Sequence, residues 1–122
     1  MNEANEEKER HRNLEIWKNA LDISNDIYEL TRNFPKDEIF GLRSQMRRAG
    51  VSVPSNIAEG SKRSDMDFAH FLDIALGSLA ELDTQFLIAE KQGFLSYTEE
   101  VQRKMIGLRK GIRRFKAVLK AQ

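Results

Sequence analysis

Four stretches of the chain repeat apolar residues at steps of three and four, the spacing that gathers them on one face of an α-helix. The first carries Leu14, Trp17, Leu21, Ser24, Ile27 and Tyr28. It is expected to run from Asn13 as N-cap to about Arg32, because the residue before Pro35 avoids helical backbone. Phe34 is expected to plug the bundle end, with Lys36–Phe40 leading into the next helix. The second stretch carries Ile39, Leu42, Met46, Ala49, Val53 and Ile57 and closes near Gly60, read as a C-cap. The third carries Phe68, Phe71, Leu72, Ala75, Leu79, Leu82, Phe86 and Ala89, ends at about Gln92, and is stopped by Gly93. The fourth, Val101, Met105, Leu108, Ile112, Phe115 and Leu119, alternates steps of four and three like a coiled-coil seam. Ser64 with Asp67 and Ser96 with Glu99 have capping-box spacing at the starts of the last two helices. No run alternates strictly in the manner of a strand. The fold class is therefore all-α. Four helices joined by short loops predict an antiparallel up-down-up-down four-helix bundle over residues 13–122, after a charged tail, residues 1–12, expected to be disordered or frayed.

Two helices depart from a simple amphipathic stripe. In the second, Pro54 removes a backbone hydrogen bond and presses its ring on the carbonyl of residue 50, which is glycine. The helix is expected to kink near Gly50–Pro54, or else to break and restart with Pro54 in its first turn. Arg47, Arg48, Ser55, Asn56 and Glu59 surround this point. They read as a structural polar network, with Arg47 or Arg48 paired to Glu59, in preference to a ligand site. In the third helix Ile74, Leu76, Leu87 and Ile88 fall outside the stripe. A helix so apolar around its girth needs a second buried surface, and a subunit interface is the expected cover.

Phe34-Pro35, the run GLRSQMRRAGVSVPSNIAEG over Gly41–Gly60, and GSLAEL over Gly77–Leu82 closely resemble the four-helix-bundle family of 23S rRNA intervening-sequence proteins, which is related to the accessory variability protein of diversity-generating retroelements. The resemblance runs from about Leu14 to Leu119. Gly50 is a mild departure, since the family usually has alanine or another small residue there. The resemblance implies a four-helix bundle, a ring-shaped homo-oligomer (a pentamer) and nucleic-acid binding. Its retroelement relative suggests a reverse transcriptase as one class of partner. It supplies no defined biochemical activity.

Charge sharpens the nucleic-acid expectation. The formal net charge is only +1, from 20 Lys/Arg and 19 Asp/Glu, but it is unevenly spread. Residues 1–40 hold six basic and ten acidic residues, and residues 96–122 hold eight and two. On the fourth helix Arg109, Arg113, Lys116 and Lys120 form one stripe, and Arg103, Lys110 and Arg114 another. Arg43, Arg47, Arg48, Lys62 and Arg63 form a second cluster. Arginine outnumbers lysine in these groups, which suits bidentate phosphate contacts. Repeated around a ring, they would present many weak phosphate sites to one polyanion. The nucleic-acid-binding candidates are thus Arg43, Arg47, Arg48, Lys62, Arg63, Arg109, Lys110, Arg113, Arg114 and Lys116. No exposed aromatic is evident among them, so base stacking is not expected from the sequence. The opposing possibility is that the acidic first helix lies against the fourth and neutralises it, leaving a pure protein-interaction scaffold.

Enzymatic chemistry finds little purchase. With no cysteine there is no thiolate nucleophile and no disulfide, and a reducing cytoplasm is the expected setting. There is no Glu-x-x-His of the kind a di-iron bundle uses. Asp67-x-x-His70-x-x-Asp73 drifts around its helix, so His70 reads as a surface or interface residue and His11 as part of the tail. Phosphate-loop, dinucleotide and nucleophile-elbow motifs are missing. No cofactor, no metal and no catalytic residue are expected; a small-ligand or metal bundle enzyme is the third class. The charged tail does not read as a secretory signal, and no window approaches 18 uninterrupted apolar residues, so no membrane partner is expected.

Overall fold

The apolar repeats do form helices. The computed structural model describes residues 10–121, and over them the elements are a 3-10 turn at Arg10–Asn13, α1 (Glu15–Leu30), a 3-10 turn at Lys36–Glu38, α2 (Leu42–Gly60), α3 (Asp65–Lys91) and α4 (Glu99–Ala121). No strand occurs among the described residues. Most of the tail expected at residues 1–12 lies outside them, but Arg10–Asn13 is an ordered turn with His11 edge-on to the Trp17 ring at 5.1 Å.

Each helix packs on its chain neighbours, and α1 closes the set against α4, while no Cα atoms of α2 and α4 come within 8 Å of each other. Contacts pair late positions on one helix with early positions on the next: Arg47 reaches Thr31, Gly60 abuts Phe68, and Phe86 stacks on Tyr97 at 4.5 Å. The shared core contains Ile23, Ile27, Met46, Ile57, Leu72, Leu82, Phe86, Met105, Leu108 and Ile112, each at most 2 % exposed. Phe34 is buried at one end and packs on Phe94. Among the described residues no helix is long and apolar enough to cross a membrane.

Several local expectations are corrected. Helix α1 starts at Glu15, with Leu14 as N-cap and no side-chain cap, so Asn13 belongs to the preceding turn. Its buried stripe is Ile16, Ala20, Ile23, Ser24 and Ile27; Leu21 and Tyr28 are more than 40 % exposed. The stripe was misread because both apolar rows are spaced correctly for a helix and only neighbouring helices decide which one is covered. Helix α2 continues through Pro54, so the break and restart does not occur. The C-cap of α2 is Ser61 in right-handed helical conformation, not Gly60. Gly60 is required for packing instead: a Cβ there would lie 2.7 Å from Phe68 Cδ1 and 2.8 Å from Phe71 Cβ. Gly50 likewise faces Ile27, whose Cδ1 would lie 2.6 Å from an added Cβ. Gly93 does end α3, in the left-handed region at φ 77°.

The caps explain where α3 and α4 begin. Ser64 accepts from the Asp67 backbone N–H at 3.3 Å, as the capping spacing predicts. For α4 the hydroxyl that accepts is Thr98, from the Val101 N–H at 3.3 Å, so Ser96 does not cap it. The linker before α4 is anchored by Tyr97, whose O–H donates to Asp83 at 2.7 Å and whose N–H donates to Glu90 at 2.9 Å.

Candidate nucleic-acid interface

The basic residues divide into three groups by what the fold gives them as neighbours. On α4 the seam Val101, Met105, Leu108 and Ile112 is buried, which turns the intervening basic positions outward. Lys110, Arg113 and Arg114 are exposed and Arg109 is half-buried; none of the four makes an ion pair among the described residues. Lys116 differs, because its ammonium is bound to Asp73 of α3. It lines a shallow groove of about 390 Å³ between α3 and α4 with Leu76, Arg113, Ala117 and Lys120. The feared neutralisation by α1 falls on a single residue, Lys104, which sits 3.0 Å from Asp22 and 2.9 Å from Asp26. The hydrogen bonds to those two carboxylates raise its pKa and hold it charged.

At the α2–α3 junction, Arg63 is 2.6 Å from Glu59 and lies over the Phe71 ring at 5.3 Å. The hydrogen bond to Glu59 raises its pKa first, and the charge of Glu59 second. Glu59 is therefore taken by Arg63, and the expected pairing of Arg47 or Arg48 with Glu59 does not form: Arg63, four residues on in the turn after α2, is within reach, whereas Arg47 and Arg48 lie about three helical turns from Glu59 and Arg47 is turned toward α1. Lys62 is exposed beside it and makes no ion pair among the described residues. Because Gly60 abuts Phe68 and Phe68 packs on Phe115, this junction shares its end of the bundle with the last turns of α4.

Arg43, Arg47 and Arg48 lie toward the opposite end of α2; to its last residue, Gly60, the helix rises about 26 Å from Arg43 and about 18 Å from Arg48. Since no Cα atoms of α2 and α4 come within 8 Å of each other, the structure does not merge this cluster with the α4 stripes within one subunit. Arg47 is fixed: its Nε donates to Thr31 Oγ1 at 2.9 Å, its Nη2 donates to the Tyr28 carbonyl at 3.3 Å, and its guanidinium lies 4.4 Å from the Tyr28 ring centre. Thr31 is fully buried and donates its own hydroxyl proton to the Ile27 carbonyl at 2.7 Å. Desolvation lowers the pKa of Arg47, and the neighbouring Arg43 lowers it further. Arg43 and Arg48 carry no ion pair among the described residues.

These arginines line two depressions. One, about 600 Å³, is bounded by Tyr28, Ile39, Phe40, Arg43, Ser44, Arg47, Arg48, Val51 and Ser52. The sequence pattern does not reveal the aromatic component: Phe40 is 96 % exposed, and Tyr28, which falls on the apolar row of the first helix, is 43 % exposed. The available signal was Phe40 standing outside the Ile39–Leu42–Met46 spacing, one residue before Gly41. The other depression, about 740 Å³, runs between α2 and α3 past Gln45, Arg48, Ser52, Ser78, Glu81 and Gln85. There the Ser52 and Ser78 hydroxyls meet at 2.9 Å, and Asn56 donates to the Ser52 carbonyl at 2.8 Å and hydroxyl at 2.9 Å. Asn56 thus serves the polar network expected around Pro54. Among the described residues no three His, Asp or Glu side chains cluster in a way that could hold a metal ion.

Comparison with known proteins places this arrangement in a family. The family model described as 23S rRNA-intervening sequence protein matches residues 12–114, most of the chain, and the chain belongs to that family. No match was found among curated proteins.

Proposed function

We propose that this member of the 23S rRNA-intervening sequence protein family is a non-enzymatic, homo-oligomeric nucleic-acid-binding protein that grips RNA or DNA backbone through basic helix surfaces. One observation carries the reading: Arg109, Lys110, Arg113 and Arg114 project from α4 with no carboxylate partner among the described residues, although α4 packs between two helices that supply acids to Lys104 and Lys116. Arginine side chains so displayed favour bidentate contacts with phosphate. Phosphate contacts carry no base sequence, so any selectivity would come from nucleic-acid shape or from a partner protein such as a reverse transcriptase. The family description, which names 23S rRNA, leans the ligand toward RNA. Self-association, with the pentamer as the expected state, is supported by Ile74, Leu87 and Ile88 on α3 and Ile106 and Val118 on α4, all more than 40 % exposed. In a ring, the α2 and α4 clusters that one subunit separates would recur on adjacent copies.

The alternative, an oligomeric interaction scaffold without nucleic-acid contact, draws on the cations that are already paired: Arg63, Lys104 and Lys116. Fluorescence anisotropy with a labelled structured RNA and a matched DNA duplex separates the two. Micromolar or tighter binding with a steep log–log salt dependence is expected of the backbone grip. Absence of binding to both, even at ~50 mM salt, would leave the scaffold.

A further inference from the structure

The cleft at the start of α2 differs from the α4 surface in one respect: its arginines are set among exposed aromatic groups. Phe40 is the most exposed large apolar side chain of the described chain, at 96 %, and it stands at the mouth of a depression that also holds Arg43, Arg47 and Arg48. Arg47 is locked in place by Thr31, the Tyr28 carbonyl and the Tyr28 ring, so its planar guanidinium forms a fixed wall. Arg43 and Arg48 have no ion-pair partner among the described residues. The one nearby carboxylate with an assigned role, Glu38, accepts the Leu42 backbone N–H at 3.0 Å and so caps α2. The volume of about 600 Å³ falls in the range of small-molecule clefts in general, roughly 300–1,000 Å³.

We propose that this cleft receives an unpaired nucleotide of a single strand, with the base stacked on Phe40 and the flanking phosphates held by Arg43 and Arg48. A ligand that is both planar and anionic answers every feature of the cleft. A purely acidic peptide would use the arginines and leave Phe40 in water. An apolar helix would cover Phe40 and desolvate Arg43 and Arg48 without compensation. Aromatic and guanidinium faces are the means by which proteins hold splayed bases, and they accept any base. The proposal rests on the nucleic-acid reading above and adds to it a preference for unpaired segments, such as the loops and ends of a structured RNA.

Twelve-nucleotide oligo-U, oligo-dT and a blunt DNA duplex, titrated against the full chain and against Phe40→Ala and Phe40→Trp, test it. Because Phe40 is almost wholly exposed, its replacement should not disturb folding. Phe40→Ala is expected to weaken single-strand binding about 5- to 150-fold, with the salt slope and duplex affinity unchanged, since stacking of one base is neutral to salt. Phe40→Trp should restore it. Unchanged single-strand affinity in Phe40→Ala would overturn the pocket while leaving the α4 grip intact. A lower oligomer mass for Phe40→Ala by light scattering would also overturn it, by making Phe40 a subunit contact. Failure of the unaltered protein to bind any of the three probes would instead remove the reading beneath it.

Discussion

Gly50 shows how a single side chain sets the distance between two helices. Its missing Cβ leaves room for Ile27, which is fully buried and would lie 2.6 Å away from the added atom. Alanine would gain about 1 kcal/mol of helix propensity but must push the Ile27 terminus into a filled core, at about 1–3 kcal/mol. Gly50→Ala is therefore expected to be destabilising by about 1 kcal/mol on balance. In an Ile27→Val background Cδ1 is gone, the next atom is 3.7 Å away, and the same change should become neutral or stabilising. Urea denaturation of the four proteins of this double-mutant cycle checks it; a coupling energy near zero would contradict the contact. The sequence made Gly50 conspicuous through Pro54, four residues on, yet its packing role involves Ile27 of another helix. No spacing within α2 could reveal that partner.

At the scale of elements, periodicity located the helices well because each carries a long apolar row, and α1, α2 and α3 are followed by Thr31, Ser61 and Gly93. Helices α3 and α4 were the most legible: Phe68, Leu72, Ala75, Leu79, Leu82, Phe86 and Ala89 are buried, as is the front of the α4 seam. Helix α1 was the least legible, since Ile16, Ala20 and Ile23 compete with Leu14, Trp17 and Leu21 as rows of similar apolarity. The joint between α3 and α4 was invisible, because Tyr97, Asp83 and Glu90 lie in no common repeat. Burial raises the pKa of the Tyr97 phenol first, and its hydrogen bond to Asp83 second. A phenol whose folded pKa lies above its unfolded value near 10 stabilises the fold fully below that pH. That contribution is lost as pH rises above ~10, at up to about 1.4 kcal/mol per pH unit. Tyr97→Phe is expected to be less stable than the parent by about 1 kcal/mol at pH 8, from the lost hydrogen bond. The gap should narrow by pH ~11, because phenylalanine has no proton to lose. Urea midpoints at the two pH values measure this; a gap that widens would mean that the phenol does not resist ionisation in the folded state.

For the whole molecule, the decisive feature is the separation of charge between helices. Composition exposed the basic surplus of residues 96–122, but not which cations are consumed. That depends on the facing helix: Asp22 and Asp26 take Lys104, Asp73 takes Lys116, and Arg109, Lys110, Arg113 and Arg114 face outward without such partners among the described residues. Nor could composition show that α2 and α4 sit at diagonal corners, which sets Arg43, Arg47 and Arg48 apart from the α4 stripes within one subunit. The salt slope of RNA binding, measured by anisotropy between ~50 and ~300 mM salt for the unaltered protein and for Arg109→Glu/Arg113→Glu, tests the backbone grip most directly. Each phosphate contact contributes about 0.9 to that slope on a duplex and about 0.7 on a single strand. The double variant should therefore show a slope shallower by about 1.4 to 1.8 for each engaged subunit, with weaker binding throughout. An unchanged slope would mean that α4 does not touch the polyanion, and the account of this protein as a backbone-gripping bundle would fall.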